Sequence, residues 1–154
     1  MVTIAVEPYS DGLVEEMLDL IKQHYDEITL NKDVVKLDPD WDRYAELAAN
    51  DRLLALSVRN DQNKLIGYSW FFIGHHIHYK SLKMASNDVL FLTPEARKGR
   101  TGIRLIKDSE TACRARGVDK IIWHIKFAKD FRNILYRLGY ADEDALVGKI
   151  LRKQ

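Results

Sequence analysis

The chain has 154 residues, with 24 Lys and Arg against 23 Asp and Glu, for a formal net charge of +1. That balance excludes a global field directed at a polyanion such as duplex nucleic acid. A 46% hydrophobic, 31% charged composition is that of one globular domain, residues 1–154, and no apolar run approaches the roughly 20 residues that span a bilayer.

Met1-Val2-Thr3-Ile4 lacks the basic and long apolar regions of a secretory leader, so the expected compartment is the cytoplasm. A single cysteine, Cys113, excludes an internal disulfide and reads as a small buried hydrophobe on a helix. In chain order, Val2 to Val6 alternates as a first strand, and Asp11 is placed to cap a helix carrying Leu13, Met17, Leu18, Leu20, Ile21 and His24. Asn31 to Asp40 is a polar loop. Trp41 to Ala49 is a second helix, with Trp41, Tyr44, Ala45 and Ala48 on one side. Leu53 to Val58 is a strand, and Leu65 to Tyr79 is a long aromatic strand with a bulge expected at Gly74. Met84 to Leu92 completes an antiparallel meander, because short turns at Asn60–Asn63 and Lys80–Lys83 join the three strands.

Beyond Leu92 the pattern changes. Thr93-Pro94 ends the strand, and Arg97-Lys98-Gly99-Arg100-Thr101-Gly102 forms a basic glycine loop. A helix from Thr101 follows and stops at Gly117. Val118 to Phe127 reads as a strand. Lys129-Asp130 opens a helix bearing Phe131, Ile134, Leu135 and Leu138, which Gly139 stops. Tyr140 to Leu151 is expected to hold a final strand or two. Strand–helix–strand from Val89 to Ile125 is then a right-handed parallel crossover. A strand, a basic glycine loop and a helix start suit a pyrophosphate, since free N–H groups and the positive end of the helix dipole face the anion. Arg104, Lys107, Arg114, Arg116, Lys120, Lys126, Lys129 and Arg132 extend the basic region.

This order resembles the GNAT superfamily of N-acetyltransferases over nearly the whole chain. The family's acetyl-CoA motif runs roughly L-x-V-x-P-x-x-(Q/R)-x-x-G-x-(G/A). Leu90, Leu92, Pro94, Arg97, Arg100 and Gly102 stand in those places, with Arg100 where the family commonly has Gly. The K-G-R-T-G-I-R-L form and the neighbouring N-D-V-L-F-L are similar to GNAT-like proteins encoded by bacteriophages, which would place the protein in a host cytoplasm. The implied fold is mixed α/β: an antiparallel meander, then a parallel β-α-β crossover with the fourth and fifth strands splayed apart. The implied co-substrate is acetyl-CoA. Its pantetheine would meet backbone groups of Phe91, Leu92 and Thr93, and its pyrophosphate the N–H groups of Lys98, Gly99, Arg100, Thr101 and Gly102. Gly99 and Gly102 permit positive φ there, and Arg97, Lys98 and Arg100 add charge. The family's Asn after the fifth strand is missing, and Lys126, Lys129 or Asn133 stands in its region.

Acetyl transfer needs a base for the amine, a donor for the thioester oxygen and a proton for the thiolate. The resemblance implies the Leu92 N–H as the donor. Asp88, expected to share a face with Leu90 and Leu92, and His124 of the fifth strand are the candidate bases, against a surface Asp and a satisfied core His. The family's acid is a Tyr four residues before the Gly of Y-x-x-x-G-(F/Y). Leu135 holds that place here, and Tyr136 lies one residue, about 100°, further round the helix. His75, His76 and His78 read as exposed strand surface or acceptor contacts rather than a metal site, because no Cys or carboxylate completes a ligand set. Trp41, Tyr44, Trp70 and Phe72 read as core or as acceptor-groove walls, and Asp33, Asp38 and Asp40 as solvated or amine-attracting. The implied partner is a primary amine on a small molecule, protein or modified nucleobase, with no membrane and no nucleic-acid signal; a homodimer is compatible. The competing function is a GNAT-fold protein that binds CoA, or regulates, without catalysis.

Overall fold

In the computed structural model, residues 1–152 are described. Five strands form one sheet in sequential order: β1 (Thr3–Val6), β2 (Leu53–Arg59), β3 (Leu65–His75), β4 (Lys83–Leu92) and β5 (Lys120–Ile122). The first four pair antiparallel, and β5 pairs parallel to β4. The helices are α1 (Asp11–Ile28), α2 (Trp41–Ala49), α3 (Thr101–Ala115) and α4 (Arg132–Arg137), with one 3-10 turn at Phe127–Lys129. This is the mixed α/β architecture expected from the sequence. None of the described helices is long and apolar enough to cross a membrane.

Strand alternation sorts the core onto two faces. Leu53, Ala55, Tyr68, Trp70 and Phe91 meet Leu13, Met17 and Leu20 of α1 and Trp41, Tyr44 and Leu47 of α2. Leu54, Leu56, Val58, Phe71, Ile73, Ala85 and Leu92 meet Leu105, Ile106 and Cys113 of α3 and Leu135 of α4. Both faces of β2 are covered, which is why Leu53 to Val58 reads as an unbroken apolar run with one small polar residue, Ser57.

Local chemistry sets the boundaries. Ser10, not Asp11, caps α1 by accepting from Leu13 N–H, and Asp40 caps α2 by accepting from Arg43 N–H. Gly117 ends α3 with φ +71°: its N–H reaches Arg114 O, and Val118 N–H reaches Cys113 O, a Schellman closure.

The structure also corrects four expectations about element bounds and bulges. No register shift marks Gly74; β3 ends at His75, and the bulge lies in β4, where Trp70 pairs Val89 and Phe71 pairs Asn87, leaving Asp88 unpaired. The expected strand from Val118 to Phe127 is only Lys120–Ile122, because β5 leaves β4 after the Ser86–Ile122 pair. The last helix starts at Arg132 rather than at Asp130, after the 3-10 turn. Residues 141–151 form no strand; Leu146, Val147 and Leu151 are exposed there, and without a burying partner their apolar pattern pairs with nothing.

Candidate active site

The parting of β4 and β5 makes the site. Thr93 N–H is directed across the sheet to Ile66 O at 2.9 Å. In an antiparallel pair the peptide groups alternate between the two edges, so those of Leu92 and Leu90 point away from β3, into the gap left by β5. The peptide groups of Phe91 point back to β3. Thr93 is also engaged, its carbonyl accepting from Ala96 N–H and Arg97 N–H. Of the three backbone positions implied for pantetheine, Leu92 is therefore the one that faces the gap, with Leu90 joining it.

Beyond the strand end lies the basic loop. Gly99 has φ +75° and nothing within 4 Å of where a Cβ would stand. Gly102 does not take positive φ; it sits inside the first turn of α3, close to Leu92 Cδ1. Unlike α1 and α2, α3 has no side-chain cap, and its first turn carries no acidic residue. Lys98 and Arg100 are exposed and Thr101 is half-buried. An open glycine turn beside an uncapped helix N-terminus fits a phosphate group. Lys129 is exposed at the end of the 3-10 turn, on the β5 side of the gap, and that turn packs against α1.

At the other end of the gap the bulge redirects Asp88. Simple alternation would put Asp88 with Leu90 and Leu92, on the α3 face. Instead its carboxylate lies on the opposite face, where Oδ2 accepts from Tyr44 O–H of α2 at 2.5 Å. Burial raises the Asp88 pKa, while the Tyr44 hydrogen bond and the positive charge His124 can carry pull it down, and the net shift is upward. Burial, then the Asp88 hydrogen bond, raises the Tyr44 pKa.

Asn87 fixes this arrangement. Its buried amide donates to Trp70 O at 3.1 Å and Val89 O at 3.2 Å, satisfying carbonyls that the bulge takes out of the ladder. Its own carbonyl is 2.8 Å from His124 Nδ1. A carbonyl only accepts, so His124 donates Nδ1–H there and the neutral ring keeps its lone pair on Nε2. His124 lies past the end of β5, itself exposed between buried Trp123 and half-buried Ile125, rather than inside a strand. Asp88, unpaired at the bulge, and His124, held on Asn87 O, thus stand at the same end of the gap; the sequence offered them as separate candidate bases, and neither the bulge nor the amide clamp was legible in it. Asn87 was legible only as a polar residue inside an apolar strand.

Two candidates are placed elsewhere. Tyr136 is 43% exposed and donates to Asp142 Oδ1 at 2.7 Å, while Leu135 takes the buried position on α4. That hydrogen bond raises the Tyr136 pKa, which makes it a poorer acid. Arg97 folds back over the end of β4 at the surface: its Nε donates to Leu92 O at 2.8 Å and a terminal nitrogen pairs with Glu27 Oε2 at 2.6 Å. His76 and His78 cluster with Tyr79 on the β3–β4 turn, where His76 Nδ1 accepts from His78 N–H at 3.1 Å, while His75, the last residue of β3, sets its Nδ1 2.9 Å from Lys80 O. The aromatic wall beside Asp88 is built by Trp41, Tyr44 and Phe72, all half-buried, with Tyr44 edge-on to buried Trp70.

No protein-family model matches the sequence, and no curated protein does. Solved structures do match. A predicted acetyltransferase from Clostridium acetobutylicum, solved with acetyl-CoA, has 16% identity and a TM-score of 0.74 over 98% of this chain and 97% of that one. Ribosomal-protein-alanine N-acetyltransferase from Brucella melitensis has 18% identity and a TM-score of 0.69 over 100% of both chains. Glucosamine-6-phosphate N-acetyltransferase from Arabidopsis thaliana has 14% identity and a TM-score of 0.68 over 97% of this chain and 99% of that one. With a five-stranded mixed sheet whose fourth and fifth strands part beside a basic glycine loop, the chain has the fold of the GNAT acetyltransferases.

Proposed function

We propose that the protein is an acetyl-CoA-dependent N-acetyltransferase that moves an acetyl group directly to a primary amine. The observation that carries this reading is the gap itself: Leu90 and Leu92 turn their peptide groups into it, and an uncapped helix start and an open glycine turn stand at one end. A strand-like pantetheine arm suits those peptide groups, and a pyrophosphate suits the N–H groups of Lys98 to Gly102 with the charges of Lys98 and Arg100. The fold neighbours include one solved with acetyl-CoA, and others named for acetyl transfer to amines as different as a protein alanine and glucosamine 6-phosphate.

In the proposed reaction, the ammonium of the acceptor gives one proton to His124 Nε2, and Asp88 stabilises the resulting imidazolium. The free amine attacks the thioester carbon, and the carbonyl oxygen takes the electron pair while the Leu92 N–H donates to it. Collapse re-forms the carbonyl, breaks the carbon–sulfur bond, and passes the second nitrogen proton to the sulfur through water. The products are amide and free thiol, and His124 returns its proton to solvent. Tyr136 has no part in this scheme. The aromatic wall of Trp41, Tyr44 and Phe72 lines the acceptor side.

The test is thiol release from acetyl-CoA on mixing with a panel of primary amines. Turnover in the wild type, lowered in Asp88→Asn and His124→Ala, supports the reading. Full turnover by both variants across the pH range removes the base assignment. CoA binding without thiol release for any amine favours the non-catalytic alternative.

A further inference from the structure

Arg97 belongs to the glycine loop, yet its guanidinium serves three groups of the fold. Nε donates to Leu92 O, a terminal nitrogen pairs with Glu27, and the planar group lies 5.3 Å from the centre of the Phe91 ring. Leu92 O is one of the few peptide groups of β4 that face the gap. The other partner, Glu27, sits in the last turn of α1, which carries no basic residue. A carboxylate there meets the negative end of the helix dipole and disfavours the helix. Glu27 is therefore stabilised by Arg97 rather than by its own helix, and one side chain ties the end of α1, the loop and the gap-facing edge of β4 together.

We infer that Arg97 is a two-position latch: in the ligand-free protein it holds Leu92 O and Glu27, and an anionic pantetheine ligand draws its guanidinium away from both. The inference rests on the reading of the gap and loop as the CoA site. A ligand amide that adds to β4 as a strand needs the Leu92 carbonyl that Arg97 Nε occupies. A pyrophosphate on the adjacent N–H groups offers the guanidinium more negative charge than a single carboxylate does. Loading then frees Leu92 O for the ligand and leaves Glu27 unpaired at the end of α1. The last turn of α1 loosens, and the segment from Leu30 to Asp40 that follows it is released on the acceptor side. Arg97 is a positioning residue in this account, and Glu27 acts against ligand binding.

The test is CoA binding by calorimetry to the wild type and to Glu27→Gln, with amide hydrogen exchange of Tyr25 to Leu30 measured with and without CoA. The expected result is binding about three- to tenfold tighter in Glu27→Gln, as removal of one competing ion pair requires. CoA is expected to speed exchange at the end of α1 in the wild type and to leave it unchanged in the variant. A purely structural ion pair predicts the opposite: unchanged or weaker binding, and slower exchange on loading. Should Glu27→Gln fail to fold, Glu27→Asp, whose shorter side chain breaks the same contact, gives the same comparison. Equal affinities in variant and wild type overturn the latch and leave the CoA site standing. Absence of CoA binding in the wild type overturns both.

Discussion

His24 should make the fold acid-sensitive in a defined window. It lies 9% exposed on α1, with Nδ1 3.0 Å from Tyr68 O–H and its ring stacked 5.2 Å from Phe91 of β4. Burial is the largest influence on it and pushes its pKa from 6.5 down to about 4, with Arg97 and Lys126 adding to the effect against Glu27. The native state thus refuses a proton that the unfolded chain accepts. The stability is fully present above about pH 6.5, is lost as pH falls from 6.5 towards 4, and changes no further once both states are protonated. The gap between 6.5 and about 4 corresponds to about 3 kcal/mol, of which about 2.5 kcal/mol is gone at pH 4.5. Urea unfolding of the wild type and of His24→Gln at pH 8 and pH 4.5 measures it. Gln keeps a hydrogen-bond partner for Tyr68 and does not titrate. Glu7, Glu16 and Asp130 have lowered pKa values and also lose stability in acid, so only the difference between the two proteins reports His24. The wild type should lose about 1 M more of its urea midpoint than the variant does. Equal losses in the two proteins would refute a buried neutral His24.

Three further outcomes follow from the geometry. Gly67→Ala places a Cβ 2.5 Å from Leu92 Cδ2 and 2.7 Å from Phe91 O, a backbone atom, so β3 and β4 must shift. Denaturant unfolding should show a loss of about 1–3 kcal/mol, and a neutral substitution would contradict the close approach. Tyr44→Phe removes the hydrogen bond that holds the Asp88 pKa down, so the acid limb of kcat/KM should move to higher pH, and a shift to lower pH would contradict the pairing. Tyr136→Phe should change turnover by less than about twofold, whereas loss of a catalytic acid reduces it about a hundredfold or more.

Much of the fold was legible because local chemistry and burial agree. The α2 boundaries follow from the Asp40 cap and the spacing of Trp41, Tyr44 and Ala48, and α3 from its glycine-bounded ends. The glycine loop was legible for the same reason, as Gly99 confirms by its positive φ. The bulge was not. Nothing in Asn87-Asp88-Val89 distinguishes a regular strand from one with an extra residue, and that residue decides which face Asp88 takes. The length of β5 was illegible too. Trp123 and Ile125 are as apolar as a strand requires, but they pack against α4 and the α3 face after the pairing has ended. Arg97 reads in sequence as an outward cation because its partner, Glu27, lies 70 residues away.

The most direct test of the account is titration of acetyl-CoA into the wild type and into Gly102→Glu. A Cβ at Gly102 meets only Leu92 Cδ1 at 3.9 Å, so the variant should fold as the wild type does while setting a carboxylate at the start of α3. The account predicts saturable binding to the wild type and an affinity at least about tenfold weaker in the variant, through repulsion of the pyrophosphate at a helix start. Equal affinities in the two proteins, or none in the wild type, would contradict it.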